Sequence, residues 1–234
     1  MNKGRDPAVS SSCTMREVGS RGMRRILLYA LVGIVCLAIA GLLRQRQRPI
    51  PIPPPLSFLF ENPLVEAFAG SELLVERLGL APGMRVLDAG CGPGRLTIPV
   101  ARAVEPTGEI VALDSQRAML EELEHRLEAE SITNVRTLEA GLGEGALERE
   151  AFDRVVLAFV LGEVRDREAA GRELYAALKP GGILSVTEGF GDPDYRRSAS
   201  VWREVEPAGF ELVESFGGFP VYTLNFRRPE YLAT

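Results

Sequence analysis

Short apolar runs alternate along this chain with longer stretches of helical period. Residues 86–87, 110–113, 135–138, 152–159 and 183–186 are brief and rich in Val, Ile and Leu, and glycine, proline or charge bounds them, so they read as buried strands. Between them, residues 96–104, 116–130 and 167–178 read as helices. In the middle helix Met119, Leu123 and Leu127 recur every fourth residue, Leu120 widens the stripe, and Glu121, Glu122, Glu124 and Glu128 make the solvated face with His125 among them. A helix near residues 71–80 precedes the series, and residues 210–213 and 221–226 close it as a hairpin. Strand-helix alternation of this kind predicts a parallel sheet with helices on both faces.

The first strand runs into Asp88-Ala89-Gly90-Cys91-Gly92-Pro93-Gly94-Arg95. A strand, a glycine-rich turn and then a helix open the nucleotide site of a doubly wound sheet, and the helix N-terminus offers free N–H groups there. The glycines are spaced G-x-G-x-G rather than the G-x-G-x-x-G of a dinucleotide fingerprint. An acidic Asp88 beside the turn would repel a pyrophosphate. It suits a ligand with positive charge, such as S-adenosylmethionine, which carries a sulfonium and an ammonium. The second strand ends in Asp114, 20 positions after Gly94. A carboxylate there can accept both hydroxyls of a ribose, or cap the next helix.

The match to D-x-G-x-G-x-G is complete, and here the chain resembles the class I S-adenosylmethionine-dependent methyltransferases, on the side of the methyltransferase type 11 and quinone-methyltransferase enzymes. Phe152-Asp153-Arg154-Val155 resembles the F-D-x-V strand of that family, and Leu178-Lys179-Pro180-Gly181-Gly182 its L-K-P-G-G turn before the fifth strand. The resemblance implies a Rossmann-like, mostly parallel seven-stranded sheet with its last strand antiparallel. It also implies in-line transfer of a methyl group and a cofactor site at Asp88, Gly90, Cys91, Gly92, Gly94 and Asp114. Ser115 and Met119 then neighbour the adenosine, and Phe159 flanks the adenine. Many members hold the adenine amino group with an aspartate about where Gly141 stands; backbone groups of Gly141 and Leu142 are expected to substitute. Where several quinone and small-molecule methyltransferases carry histidines, this chain has Leu161-Gly162-Glu163, so Glu163 is the nearest candidate base, or else a charge at the start of the next helix. Asp166, Glu188, Asp192 and Tyr195 are further candidates.

Charge and composition refine this picture. Residues 1–48 hold nine of the 27 Lys and Arg and two of the 32 Asp and Glu, a net of +7; the other 18 basic and 30 acidic residues give the remainder −12. An acidic domain argues against a nucleic-acid substrate. Cys13, Cys36 and Cys91 are scattered, which predicts neither disulfides nor a metal site.

Residues 1–25 read as a disordered basic tail. Met23, followed by two arginines and an apolar run, looks like a translation start in its own right. Residues 26–43 are 18 positions without a charge, bracketed by arginines on both sides. As a helix they reach about 27 Å, enough to cross hydrocarbon. A cleaved signal peptide ending at Ala38-Ile39-Ala40 and a buried core helix are the competing readings. Positive charge leans slightly toward a cytoplasmic N-terminus, whereas the cofactor requires the domain to face the cytoplasm; a start at Met23 removes the conflict. Residues 44–57, with five prolines, read as a semi-rigid linker, and residues 58–234 as the methyltransferase domain. The expected protein is therefore a single-pass membrane methyltransferase acting on a small-molecule or lipid acceptor, with no metal and no nucleic-acid partner. A non-catalytic scaffold of the same fold at the membrane is the alternative.

Overall fold

The computed structural model describes residues 70–189 and 196–230. The basic tail, the apolar run 26–43, the linker, and the candidate bases Asp192 and Tyr195 lie outside the described residues. Among those described, no helix is long and apolar enough to cross a membrane.

The chain enters through helix α1 (Ser71–Arg77) and reaches strand β1 (Arg85–Ala89). Then follow α2 (Thr97–Val104), β2 (Glu109–Asp114), α3 (Arg117–Ala129), β3 (Val135–Glu139) and β4 (Phe152–Ala158). Helix α4 (Arg167–Ala177), β5 (Leu178–Gly189), α5 (Ser198–Val205), a 3-10 turn (Glu206–Ala208), β6 (Glu211–Gly217) and β7 (Val221–Arg227) complete it. The seven strands lie in the order β3-β2-β1-β4-β5-β7-β6. β1 through β5 pair in parallel, and β7 runs antiparallel to both β5 and β6. The expected sheet with an antiparallel last strand is what forms. From β1 the chain walks outward to β3 and then returns across β1 to β4. That reversal opens a crevice at the carboxyl ends of β1 and β4, the standard ligand position in such sheets.

Neighbouring residues of a strand face opposite sides, so the sheet buries two cores. Leu87, Val155, Leu184 and Phe226 face α4 and α5, where Leu174, Val201 and Val205 meet them. Val86, Ile110 and Val156 face α1, α2 and α3, where Leu74, Val100 and Leu123 meet them.

Two local features differ from the sequence expectation. Helix α5 lies in a stretch that carries little signal: it is eight residues long and places only Val201 and Val205 in the core. The Lys179–Gly182 turn does not precede β5 but is absorbed into it as a bulge. Leu178 pairs with Phe152 and Ile183 with Arg154, with Gly181 in the left-handed region at φ +79°. Lys179 Nζ contacts both carboxylate oxygens of Asp153 at 2.8 and 2.9 Å, and Arg85 N–H donates to the same carboxylate at 2.8 Å. One aspartate thus fastens the starts of β1, β4 and β5.

Candidate functional site

The loops leaving β1, β2, β3 and β4 enclose a cavity of about 630 Å³. It lies at the strand-order reversal, at the carboxyl ends of the parallel strands. Gly90, Cys91, Gly92, Asp114, Ser115, Met119, Gly141, Leu142, Phe159 and Glu163, all expected at the site, line it together.

The β1 loop is shaped by its main chain. Gly90 and Cys91 N–H both donate to Leu113 O, at 2.7 and 3.0 Å, which ties the loop to the end of β2. Gly92 stands at φ +52°, and nothing lies within 4 Å of where its Cβ would be. A ligand can therefore approach this backbone closely. Gly94, at φ +94°, serves packing instead, since a Cβ there would sit 2.4 Å from Leu123 Cδ1. It is required where α3 crosses the loop and does not line the cavity.

Asp88 also stands back from the cavity wall. Strand alternation puts it on the Val86 side of β1, under α2, where its Oδ2 accepts the Thr97 hydroxyl at 2.6 Å. Burial pushes its pKa up to about 6, against the Thr97 hydrogen bond and the Arg95 charge; the Asp114 charge adds to the rise. Asp88 anchors the first turn of α2 and places negative potential beneath the loop.

Asp114 is clamped. Its Oδ2 accepts Gly92 N–H at 3.0 Å and its Oδ1 accepts Gln116 N–H at 2.8 Å. It does not cap α3, whose N-cap residue is Gln116. Burial raises its pKa, and the N–H groups of Gln116, Gly92 and Ser115 oppose that rise. Three N–H donors leave the carboxylate one of its roughly four acceptor sites for a hydroxyl donor. The Cys91 thiol is pushed far up by burial, and further by Asp88 and Asp114, so it stays protonated.

On the other side of the cavity Phe159 holds φ +62°, unusual for a bulky side chain. Its N–H donates to Thr187 O at 2.9 Å, and its ring packs on Gly189, where a Cβ would fall 2.7 Å from Cε1. The Arg95 guanidinium lies 5.7 Å from the ring centroid. Strain of this kind costs about 1–3 kcal/mol and persists where the surroundings enforce it.

Glu163 closes a turn, its N–H donating to Val160 O at 2.9 Å. Arg167 steadies that turn by donating to Leu161 O and Gly162 O, both at 3.0 Å, and pairs with Glu204, which also pairs with Arg196. The charge at the helix start is Asp166, which caps α4 by accepting Ala169 N–H at 2.9 Å. Asp166 lines the cavity with its carboxylate already engaged. Glu188 is fully buried in β5, accepts Arg196 N–H at 3.4 Å and does not line the cavity. Of the described candidate bases, Glu163 alone reaches the cavity without serving as a cap.

Sequence reasoning missed three groups. Arg95 lines the cavity directly after the glycines. Glu173 of α4 accepts Gly143 N–H at 2.6 Å and Leu147 N–H at 3.0 Å, fixing the loop after β3 from behind. Glu144 lines the cavity and folds back onto Gly141 N–H at 3.0 Å. The contacts of Glu173 span 30 and 26 positions, beyond any local pattern. The G-x-G-E-G spacing around Glu144 was the one available signal.

Comparison with known proteins agrees with this geometry. Residues 86–182 match the family model of a methyltransferase domain. The chain is 34% identical over 115 residues to a demethylmenaquinone methyltransferase of Staphylococcus aureus, covering 49% of this chain and 47% of the relative. It thus spans about half the length of the curated relatives it matches. A SAM-dependent methyltransferase from Aquifex aeolicus superposes with a TM-score of 0.69 at 20% identity, over 75% of this chain and 98% of that one. The [4+2]-cyclase SpnF superposes with a TM-score of 0.61 at 19% identity, over 68% and 79%. Residues 86–182 thus match a methyltransferase-domain model, and the sheet they lie in has the fold of the solved Aquifex aeolicus methyltransferase.

Proposed function

We propose that this chain is an S-adenosylmethionine-dependent methyltransferase, anchored to a membrane by residues 26–43 with its domain on the cytoplasmic side, and that it methylates a small lipophilic acceptor of the quinone type. The observation that carries the reading is Asp114, clamped between Gly92 N–H and Gln116 N–H at the mouth of the glycine loop. That carboxylate is oriented before any ligand arrives and keeps acceptor capacity for a ribose hydroxyl. S-adenosylmethionine is the cofactor, and the residues fit it: the cavity of about 630 Å³ lies within the usual range for such ligands, and Gly92 leaves the backbone open to it.

When bound, the cofactor supplies an electrophilic methyl group on a sulfonium. The protein's share is to hold the partners close and aligned, the main source of rate in such displacements. Gly92 and Asp114 fix the ribose end; Met119 and Leu142 supply apolar walls. Phe159 and Val160 shape the side nearer β4 and exclude water from it. Glu163 would take the hydroxyl proton of the acceptor, which must be in its reduced quinol form to carry one. The Cys91 thiol, held protonated by burial, does not compete as a nucleophile.

The lipophilic acceptor is supported by the uncharged run 26–43 and by the name of the Staphylococcus aureus relative. The test is transfer of labelled methyl from S-adenosylmethionine by the full chain in lipid vesicles carrying a demethylated quinone chemically reduced to its quinol. Labelled quinone is expected. Folded protein that binds the cofactor but labels neither the quinone nor any membrane lipid fraction supports the scaffold instead.

A further inference from the structure

We infer that Arg167, backed by Glu204 and Arg196, is a positioning residue for Glu163; this rests on the reading of Glu163 as the group that takes the acceptor's proton. Glu163 ends a turn at the cavity's edge, closed by its own N–H donating to Val160 O at 2.9 Å. Proton transfer asks more of such a turn than closure, since a misplacement of about 1 Å can cost about 100-fold in rate. The Arg167 guanidinium supplies the rest. It reaches back from the start of α4, where Nε donates to Leu161 O and Nη2 to Gly162 O, both at 3.0 Å. Those carbonyls belong to the two residues immediately before Glu163. A planar fork on two successive carbonyls fixes both peptide planes at once. Helix α4 has its own cap in Asp166, so these contacts serve the turn rather than the helix start.

The fork is itself held from another part of the fold. Glu204 of α5 places Oε2 3.6 Å from Arg167 Nε, and its Oε1 meets the Arg196 guanidinium. All three side chains are less than a third exposed, where ion pairs hold more firmly than in open solvent. Arg196 is fastened in turn by its main chain. Its N–H reaches Glu188 Oε2 at 3.4 Å, and its carbonyl accepts the Tyr222 hydroxyl at 2.5 Å. Glu188 and Tyr222 are cross-strand partners in β5 and β7, and both are buried. The turn that carries Glu163 is thus braced, through three charged side chains, against the interior end of the sheet. Glu188, itself a candidate base from the sequence, acts as the anchor of this brace.

The test is a double-mutant cycle in methyl transfer to the demethylated quinol by the full chain in lipid vesicles. Arg167→Met and Glu204→Gln should each lower kcat about 10- to 100-fold, with the calorimetric affinity for S-adenosylmethionine within about twofold of wild type. In a Glu163→Gln background, where no proton acceptor remains to be misplaced, the same substitutions should change kcat by less than about twofold. Arg167→Lys, which keeps the charge but not the fork, should fall between wild type and Arg167→Met. Amide hydrogen exchange at residues 160–163 should quicken at least about tenfold in Glu204→Gln. A merely structural loss would lower the melting temperature alike in both backgrounds and leave the kcat effects additive. Additive effects, or wild-type kcat in folded Arg167→Met, overturn the inference while leaving Glu163 in its role. Wild-type kcat in Glu163→Gln, or folded wild type that methylates no quinol, overturns the proton-transfer reading and the inference with it.

Discussion

Gly92 and Gly94 are two residues apart in one loop, both with positive φ, yet the structure gives an alanine at each a different consequence. At Gly94 the new methyl would lie 2.4 Å from Leu123 Cδ1, and Leu123 is fully buried in α3. The substitution adds a left-handed penalty of about 1–2 kcal/mol to an overpacking cost of about 1–3 kcal/mol. The sum, roughly 2–5 kcal/mol, corresponds to a fall in melting temperature of about 5–15 °C for a domain of this size. At Gly92 nothing lies within 4 Å, so only the backbone penalty applies, about 3–6 °C. The methyl would, however, stand in the ligand's space and weaken cofactor binding by about 5- to 100-fold. Thermal unfolding and calorimetric titration of both variants separate the two effects. Gly94→Ala combined with Leu123→Ala should be less destabilised than the sum of the single variants, since the clash is shared. Equal melting temperatures for Gly92→Ala and Gly94→Ala, or strict additivity with Leu123→Ala, would refute the division of labour in this loop.

Asp88→Asn should stabilise the protein at neutral pH and flatten its pH dependence. The folded pKa of about 6 lies above the ordinary 3.8, so the native state binds more protons across that window. Stability then falls as pH rises from about 4 to about 6, by on the order of 3 kcal/mol from this group. Urea unfolding of wild type and variant at pH 4, 6 and 8 checks this, and a variant less stable than wild type at pH 8 would contradict it. Glu163→Gln should lower kcat by about 100- to 10,000-fold while the KM for S-adenosylmethionine stays within about twofold. A kcat near wild type would remove Glu163 from proton transfer.

The parallel core of the sheet was legible because its strands are brief apolar runs, because the helices between them carry a helical period, and because glycine, proline or charge bounds each run. The site was legible wherever position followed from that register: the glycine loop and Asp114 end adjacent strands, so they must meet. What was not legible has physical causes. Whether Asp88 lies under the loop or in the cavity depends on which face of β1 carries α2; strand geometry gives the alternation, but a run buried on both faces does not give its sense. The role of Gly94 depends on Leu123, 29 positions away on another helix. Helix α5 has two core contacts and so almost no period to read. Glu173 and Glu144 act through main-chain N–H groups of a loop whose path no local propensity determines.

The most direct test of the central claim is calorimetric binding of S-adenosylmethionine to the full chain, with Asp114→Ala beside it. Wild type should bind one-to-one in the micromolar range, and a variant that remains folded should lose at least about 100-fold, since each hydrogen bond to the charged carboxylate is worth about 1.5–3 kcal/mol. Undiminished binding by folded Asp114→Ala, or no binding by folded wild type, would contradict the assignment of this cavity.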